Sequence, residues 1–212
     1  SSVENWNSGA MSGSRLVNSG LGIELDSGGS WGALTWKTPD KPLSVGAAFT
    51  SDGENIYVVR GLGDVLFWKY NGESDSWTTL QNMPRGAYFG SDIQYLNGNV
   101  YALFGGFQKA FGKYSVEDDS WSLLSDFPDL VYQGASMTTD GTYIYAITGN
   151  STQSFYRYSI ETDSWSIMAS APNTLRSGAD LERVGNYIYT PRGLNTKTFY
   201  AYDISSNTWS TL

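Results

Sequence analysis

Short apolar runs, each bounded by turn residues, set the rhythm of the chain. Ile56-Tyr57-Val58-Val59, Val100-Tyr101-Ala102-Leu103, Ile144-Tyr145-Ala146-Ile147 and Ile188-Tyr189-Thr190 are aromatic and β-branched, the make-up of half-buried strands. Ahead of them stand segments of smaller residues: Gly46-Ala47-Ala48-Phe49, Gly134-Ala135-Ser136-Met137 and Gly178-Ala179-Asp180-Leu181. The links are Asp52-Gly53, Asn97-Gly98, Asp140-Gly141 and Gly185-Asn186. Asp-Gly and Asn-Gly suit a two-residue hairpin turn because both central positions take positive φ, so each link predicts an antiparallel hairpin. A third alternating run carries Phe67 and Tyr70 or their equivalents. A fourth starts at a tryptophan and ends near Leu80, Leu124, Met168 and Leu212.

The pattern repeats every 44 residues. Trp77, Trp121, Trp165 and Trp209 keep that interval, as do Tyr57, Tyr101, Tyr145 and Tyr189. So do the columns headed by Phe67, Tyr70, Gly46 and Gly61. Columns in such register over four units make residues 41–212 four copies of one structural unit. Four antiparallel strands in a unit of this length form one blade of a β-propeller, so the expected fold class is all-β. Small residues on the first strand suit a crowded axis, and the tryptophan on the fourth suits the wide gap between blades near the rim. A feature present in every blade serves the blade, so the aromatic columns are read as core.

The order of small-residue strand, "Ile-Tyr-Val-x-x-Gly", "Phe-x-x-Tyr" and "Asp-Ser-Trp" resembles the kelch repeat family over about 170 residues. It departs from that family where a glycine pair normally follows the second strand, for the first member here is Arg60, Phe104, Thr148 or Arg192. The Gly-His and Trp-Asp signatures of WD repeats are missing, and so is the glycine of the sialidase Asp-box. The resemblance implies that two loop sets, from strand four to the next strand one and from strand two to strand three, share a binding face. On those loops lie Arg60, Arg85, Phe107, Lys109, Tyr132, Asn150, Arg176, Arg192 and Asn195, the candidate binding residues. Arg60 and Arg192 either clamp a carboxylate at the channel mouth or pair with a neighbouring acid or carbonyl. Phe107, Phe127 and Tyr132 are contact aromatics or inter-blade filler. Asn150-Ser151-Thr152 is also a glycosylation sequon.

Residues 1–40 fit the repeat less well. Gly22-Ile23-Glu24-Leu25 and Trp31-Gly32-Ala33-Leu34 can be laid on strands three and four, which favours a degenerate fifth blade over a docked arm. The Asn-, Ser- and Gly-rich stretches around Trp6 and Trp31 resemble leader segments of large secreted prokaryotic surface proteins. Kelch-type propellers commonly close by sharing strands between the chain ends. Here Leu212 already ends a fourth strand, so closure is expected from residues 1–40 or from another chain. The start at Ser1 implies that residues preceded it, and no signal peptide is legible.

Composition removes whole classes of chemistry. The chain has no His and no Cys, which excludes Ser-His-Asp and Cys-His mechanisms, His-ligated transition metals, disulfides and iron–sulfur clusters. The copper oxidase chemistry known in some kelch-type propellers goes with them. No cofactor is expected. Calcium alone stays open, through the acidic turns at 73–75, 117–119 and 161–163, although Asx side chains two residues before each repeat tryptophan suit turn amides better. A net charge of −8 with no basic cluster argues against nucleic acid, and no apolar run is long enough to span a bilayer.

Two classes of function remain. The favoured one is a non-catalytic extracellular or cell-surface module, presenting loops on one propeller face to a protein or glycan. Its variant is a subunit of a surface filament or larger assembly, self-associating by strand donation. The rival is a carbohydrate-active enzyme using only carboxylates and Arg. Blade-specific acids on one face would signal the enzyme, and only Asp64, Asp129, Asp180 and Glu182 qualify.

Overall fold

A computed structural model describes residues 38–212, together with the backbone of Val17–Asn18 (β1) and Leu21–Gly22 (β2), which pair antiparallel. Blade one comprises β3 (Ala48–Ser51), β4 (Asn55–Val59), β5 (Phe67–Asn71) and β6 (Ser76–Thr79). Blade two comprises β7 (Asp92–Leu96), β8 (Asn99–Leu103), β9 (Phe111–Ser115) and β10 (Ser120–Leu123). Blade three is β11 (Ala135–Thr139), β12 (Tyr143–Thr148), β13 (Phe155–Ser159) and β14 (Ser164–Ile167). Blade four is β15 (Glu182–Val184), β16 (Tyr187–Pro191), β17 (Phe199–Asp203) and β18 (Thr208–Thr211). Each blade is a four-stranded antiparallel meander in sequence order, and the described residues contain no helix.

One register serves all four sheets: Tyr57 lies opposite Lys69, Tyr101 opposite Lys113, Tyr145 opposite Arg157 and Tyr189 opposite Ala201. A slip of one residue would turn every buried tyrosine to the other side of its sheet, so the aromatic columns fix the pairing. The core is not a single mass. Among the described residues it is three layers, each between two neighbouring blades. Tyr57, Val59 and Phe67 of blade one pack with Val100, Ala102 and Tyr114 of blade two. Tyr101, Leu103 and Phe111 then pack with Ile144, Ala146 and Tyr158, and Tyr145, Ile147 and Phe155 with Ile188 and Tyr202.

Trp121, Trp165 and Trp209 lie half-buried in the gaps between blades, as expected. Each does more than fill space. Trp121 Nε1 donates to the carbonyl of Gln81 in the preceding blade at 3.0 Å, while Asp119 accepts the Gln81 amide at 2.9 Å. Trp165 and Asp163 hold Ser125 in the same way, and Trp209 and Asn207 hold Ala169. These Asx side chains therefore bind an amide of the preceding blade, where the sequence suggested an amide of their own turn. The same side chain also accepts the hydroxyl of its own blade's tyrosine, Tyr114 for Asp119 at 2.8 Å. Burial pushes Tyr70 up to about 12, helped by its bond to Asp75.

Two local expectations need correction. The first strands begin later than the small-residue runs, at Ala48 and Ala135 in blades one and three and only at Glu182 in blade four. Gly46, Gly90 and Gly134 have φ of 82–83°, which no strand residue adopts. Their bare Cα atoms sit against carbonyl groups of Tyr88, Tyr132 and Arg176 in the next blade, where a Cβ would collide. The hairpin links differ as well. Only Asn97-Gly98 is a two-residue turn with both φ positive. Blades one and three use three residues, because Asp52 and Asp140 cap two amides each at 2.6–2.8 Å and build the turn from a side chain.

The innermost strands pack in series, β3 on β7, β7 on β11 and β11 on β15. Among the described strands β15 and β3 form no comparable contact, so these four blades make an open arc. The expected fifth blade, and closure through residues 1–40, fall outside the residues described apart from Thr38, Pro39 and Asp40 and the backbone of β1 and β2.

Candidate binding face

Both loop sets do open on one face, and they are tied together there. Isolated bridges join Asp64 to Ala87, Gln108 to Val131 and Thr152 to Leu175, each linking a strand-two-to-three loop to the loop that enters the next blade. The strand-two-to-three loops turn through left-handed residues, among them Leu62, Phe107, Asn150, Ser151, Leu194 and Asn195, with φ between 49° and 63°. Non-glycine residues held there carry a backbone cost that surrounding contacts must offset.

Long polar side chains spend themselves on this scaffold. Arg60 forms an ion pair with Asp64 at 2.8 Å and donates to the Pro42 carbonyl. Arg192 donates to the Thr174 carbonyl and the Asn173 side chain. Both guanidiniums thus take the pairing role. Lys109 Nζ donates to the Pro128 carbonyl at 2.6 Å, and Arg85 is exposed beside the Pro84 carbonyl. Asn195 is exposed on the blade-four loop.

The structure gathers the other candidates between blades three and four. Tyr132, Asn150 and Arg176 line one open cleft of about 150 Å³ with Gln133, Ser151, Ser177 and Leu194. Ser177 Oγ donates to Gln133 Oε1 at 3.1 Å, and Arg176 Nε donates to Thr174 Oγ1. Beside the cleft Phe107 stacks on Tyr132 with centroids 3.9 Å apart. Phe107 is 51% exposed, whereas Phe127 is fully buried against Tyr156 and Trp165 and acts as filler. Tyr88, Phe89, Leu62 and Leu194 add exposed apolar surface to the same face. The sequence signal for Gln133, Ser151, Ser177 and Leu194 was only their loop position.

A second polar cluster lies at the axis; the sequence reading singled out its Asp180 but neither Asp92 nor their meeting at Ser136. Ser136 Oγ donates within reach of Asp180 at 2.7 Å and Asp92 at 3.2 Å, and the Met137 amide donates to Asp92 at 2.6 Å. Burial pushes the Asp92 carboxyl up to about 7; the nearby Asp180 charge adds to this, and amides of Met137 and Ile93 oppose it. No group of three His, Cys, Asp or Glu side chains among the described residues is placed to hold a metal ion.

Blade architecture and joints define a β-propeller-like protein. No family profile matches the chain, and no curated protein matches it. Among solved structures it is similar to the one described as "Structure of YjhT", with a TM-score of 0.69 and 17% identity over 82% of this chain. The match spans 66% of that structure's chain, and at this identity the likeness concerns the fold alone.

Proposed function

We propose that this chain is a kelch-type, non-catalytic binding module of an extracellular or cell-surface protein, and that it engages a protein partner through the loop face. The cleft that collects Tyr132, Asn150 and Arg176 beside the exposed Phe107–Tyr132 stack carries this reading. An apolar anchor next to a guanidinium and side-chain amides is the make-up of an interface hot spot. A rigid scaffold with loops that differ from blade to blade is suited to recognition. Three of the four blade-specific carboxylates are engaged within the scaffold: Asp64 is paired with Arg60, Asp129 accepts the Tyr156 hydroxyl, and Asp180 meets Ser136. That supports binding over carboxylate catalysis. The secreted-type composition of the first forty residues supports the location.

Peptide ligands selected on the intact chain and a glycan panel test this reading together. Peptides that bind in competition with one another and weaken about tenfold with Phe107→Ala or Arg176→Ala support it. Binding by glycans alone moves the assignment to the glycan class, and loop-face variants without effect on either overturn it.

A further inference from the structure

On the loop face the three blade joints share one arrangement and finish it in three ways. Gly63, Phe107 and Ser151 stand one repeat apart, each just before its loop's bridge residue, Asp64, Gln108 or Thr152. Tyr88, Tyr132 and Arg176, also one repeat apart, come to meet them from the next blade. Between blades one and two, the Tyr88 ring lies against Gly63, in the space that a side chain there would need. Between blades two and three, the Phe107 ring stacks on Tyr132 with their planes 18° apart. Between blades three and four, Ser151 and Arg176 line the open cleft, and neither supplies a ring. Ser151 leaves its loop from the same left-handed backbone as Phe107, with φ of 58° and 63°. A hydroxymethyl group thus stands where the preceding joint has a benzyl group. The cleft measures about 150 Å³, a volume that holds one benzene ring in a protein interior.

The walls of this cleft suit a ring. Arg176 is half-buried and is the one charged residue among those that line it. Its Nε is held on Thr174 Oγ1 at 3.3 Å, and its two terminal amino groups have no acceptor among the described residues. A planar guanidinium fixed at one edge can stack on an aromatic face, as Tyr132 does one joint earlier. Leu194 adds an apolar side. Building on the protein-partner reading above, we infer that this cleft receives an aromatic side chain of the partner, stacked on the Arg176 guanidinium in the place that Phe107 takes on Tyr132. Tyrosine fits it better than phenylalanine, because Gln133, Asn150 and Ser177 offer its hydroxyl hydrogen-bond partners.

N-acetyl-L-tyrosinamide carries the ring without a peptide. Titrated into the full chain, it should give saturable upfield NMR shifts at the Arg176 Nε–H and at the Asn150 amide. Arg176→Gln, read at the Asn150 amide, should weaken its binding by about threefold. Ser151→Phe should supply the ring from the chain itself, moving the Arg176 Nε–H signal upfield without ligand and abolishing the response to N-acetyl-L-tyrosinamide. Should Ser151→Phe fold poorly, Arg176→Gln carries the test. No saturable shift, an equal response to N-acetyl-L-leucinamide, or a Ser151→Phe chain that binds as before overturns the proposal. A response to acetate but not to N-acetyl-L-tyrosinamide marks a carboxylate site and overturns it as well. Peptides that weaken with Phe107→Ala but ignore Ser151→Phe would end this inference and leave the loop-face reading standing.

Discussion

At the rim, each of three joints holds one residue of the preceding blade by both its backbone groups; at the axis, the residues in equivalent places differ from blade to blade. Gln81, Ser125 and Ala169 share no side-chain chemistry, yet Asx and Trp grip them alike because only the amide and the carbonyl are used. The axial column is Ala48, Asp92, Ser136 and Asp180. There side chains meet across blades as well: the Ser136 hydroxyl lies within hydrogen-bond reach of both Asp92 and Asp180, beside the bond of Asp92 to the Met137 amide. A joint written on backbone can be copied without change. One written between side chains responds to each substitution, and to pH.

The largest test of that contrast is at the rim. Phe111→Ala empties a fully buried site under Trp165 and should cost about 3–5 kcal/mol in chemical unfolding. A loss under about 1 kcal/mol would show that the layers between blades do not hold the fold. Asp119→Ala removes the acceptor for both Gln81 and Tyr114 and leaves alanine at a φ of 45°, so a loss of about 2–3 kcal/mol is expected. Asp119→Asn should stay within about 0.5 kcal/mol, since Asn207 fills that place in blade four and Asn tolerates the left-handed backbone. Equal losses for the two would mean that the charge, not the geometry, matters.

At the axis, the raised Asp92 carboxyl makes the folded chain bind a proton that the unfolded chain releases near its ordinary value of 3.8. That contribution is complete below about pH 4 and is lost as pH rises through about 7. Asp163 works in the opposite sense: burial raises it, but the Ser125 amide and the Tyr158 hydroxyl outweigh this and hold it low, so its contribution is lost as pH falls. Asp92→Asn should therefore flatten the fall in stability between about pH 4 and pH 8 by on the order of 2 kcal/mol, measured as unfolding midpoints across that range. An unchanged slope would place the proton elsewhere. The smallest effect is expected from Ala48→Ser, which supplies blade one with the hydroxyl that Ser136 gives blade three. A gain or loss within about 0.5 kcal/mol is expected, because Asp92 already serves the Ile93 amide.

The rim was legible in the sequence and the axis was not, for the same reason. Tyr, Phe and Trp columns at a constant interval stand out because every blade needs them, so blade number in residues 41–212, strand order and the core followed directly. The clamp on Gln81, Ser125 and Ala169 could not be read, since backbone partners leave no mark in the residue they hold. Asp92 passed unnoticed among neighbours that differ at each repeat, and only the pairing of β7 with β11 brings it to Ser136. The binding candidates show the same limit. Their loop positions were readable, but long side chains such as Arg60, Arg192 and Lys109 are used on loop carbonyls, which spacing alone does not reveal.

The clamp has a consequence for how such a protein changes over generations. Each joint is closed by residues from two adjacent repeats and refers to nothing beyond them. The clamp itself carries no mark of a blade's position in the series. Duplication or loss of one whole repeat, in frame, leaves every remaining rim clamp satisfied, so at the rim the count of repeats is free to drift, while the axial contact of Ser136 with Asp92 and Asp180 ties those three blades to their order. Selection on such a gene acts on loops one at a time and on ring size in whole steps.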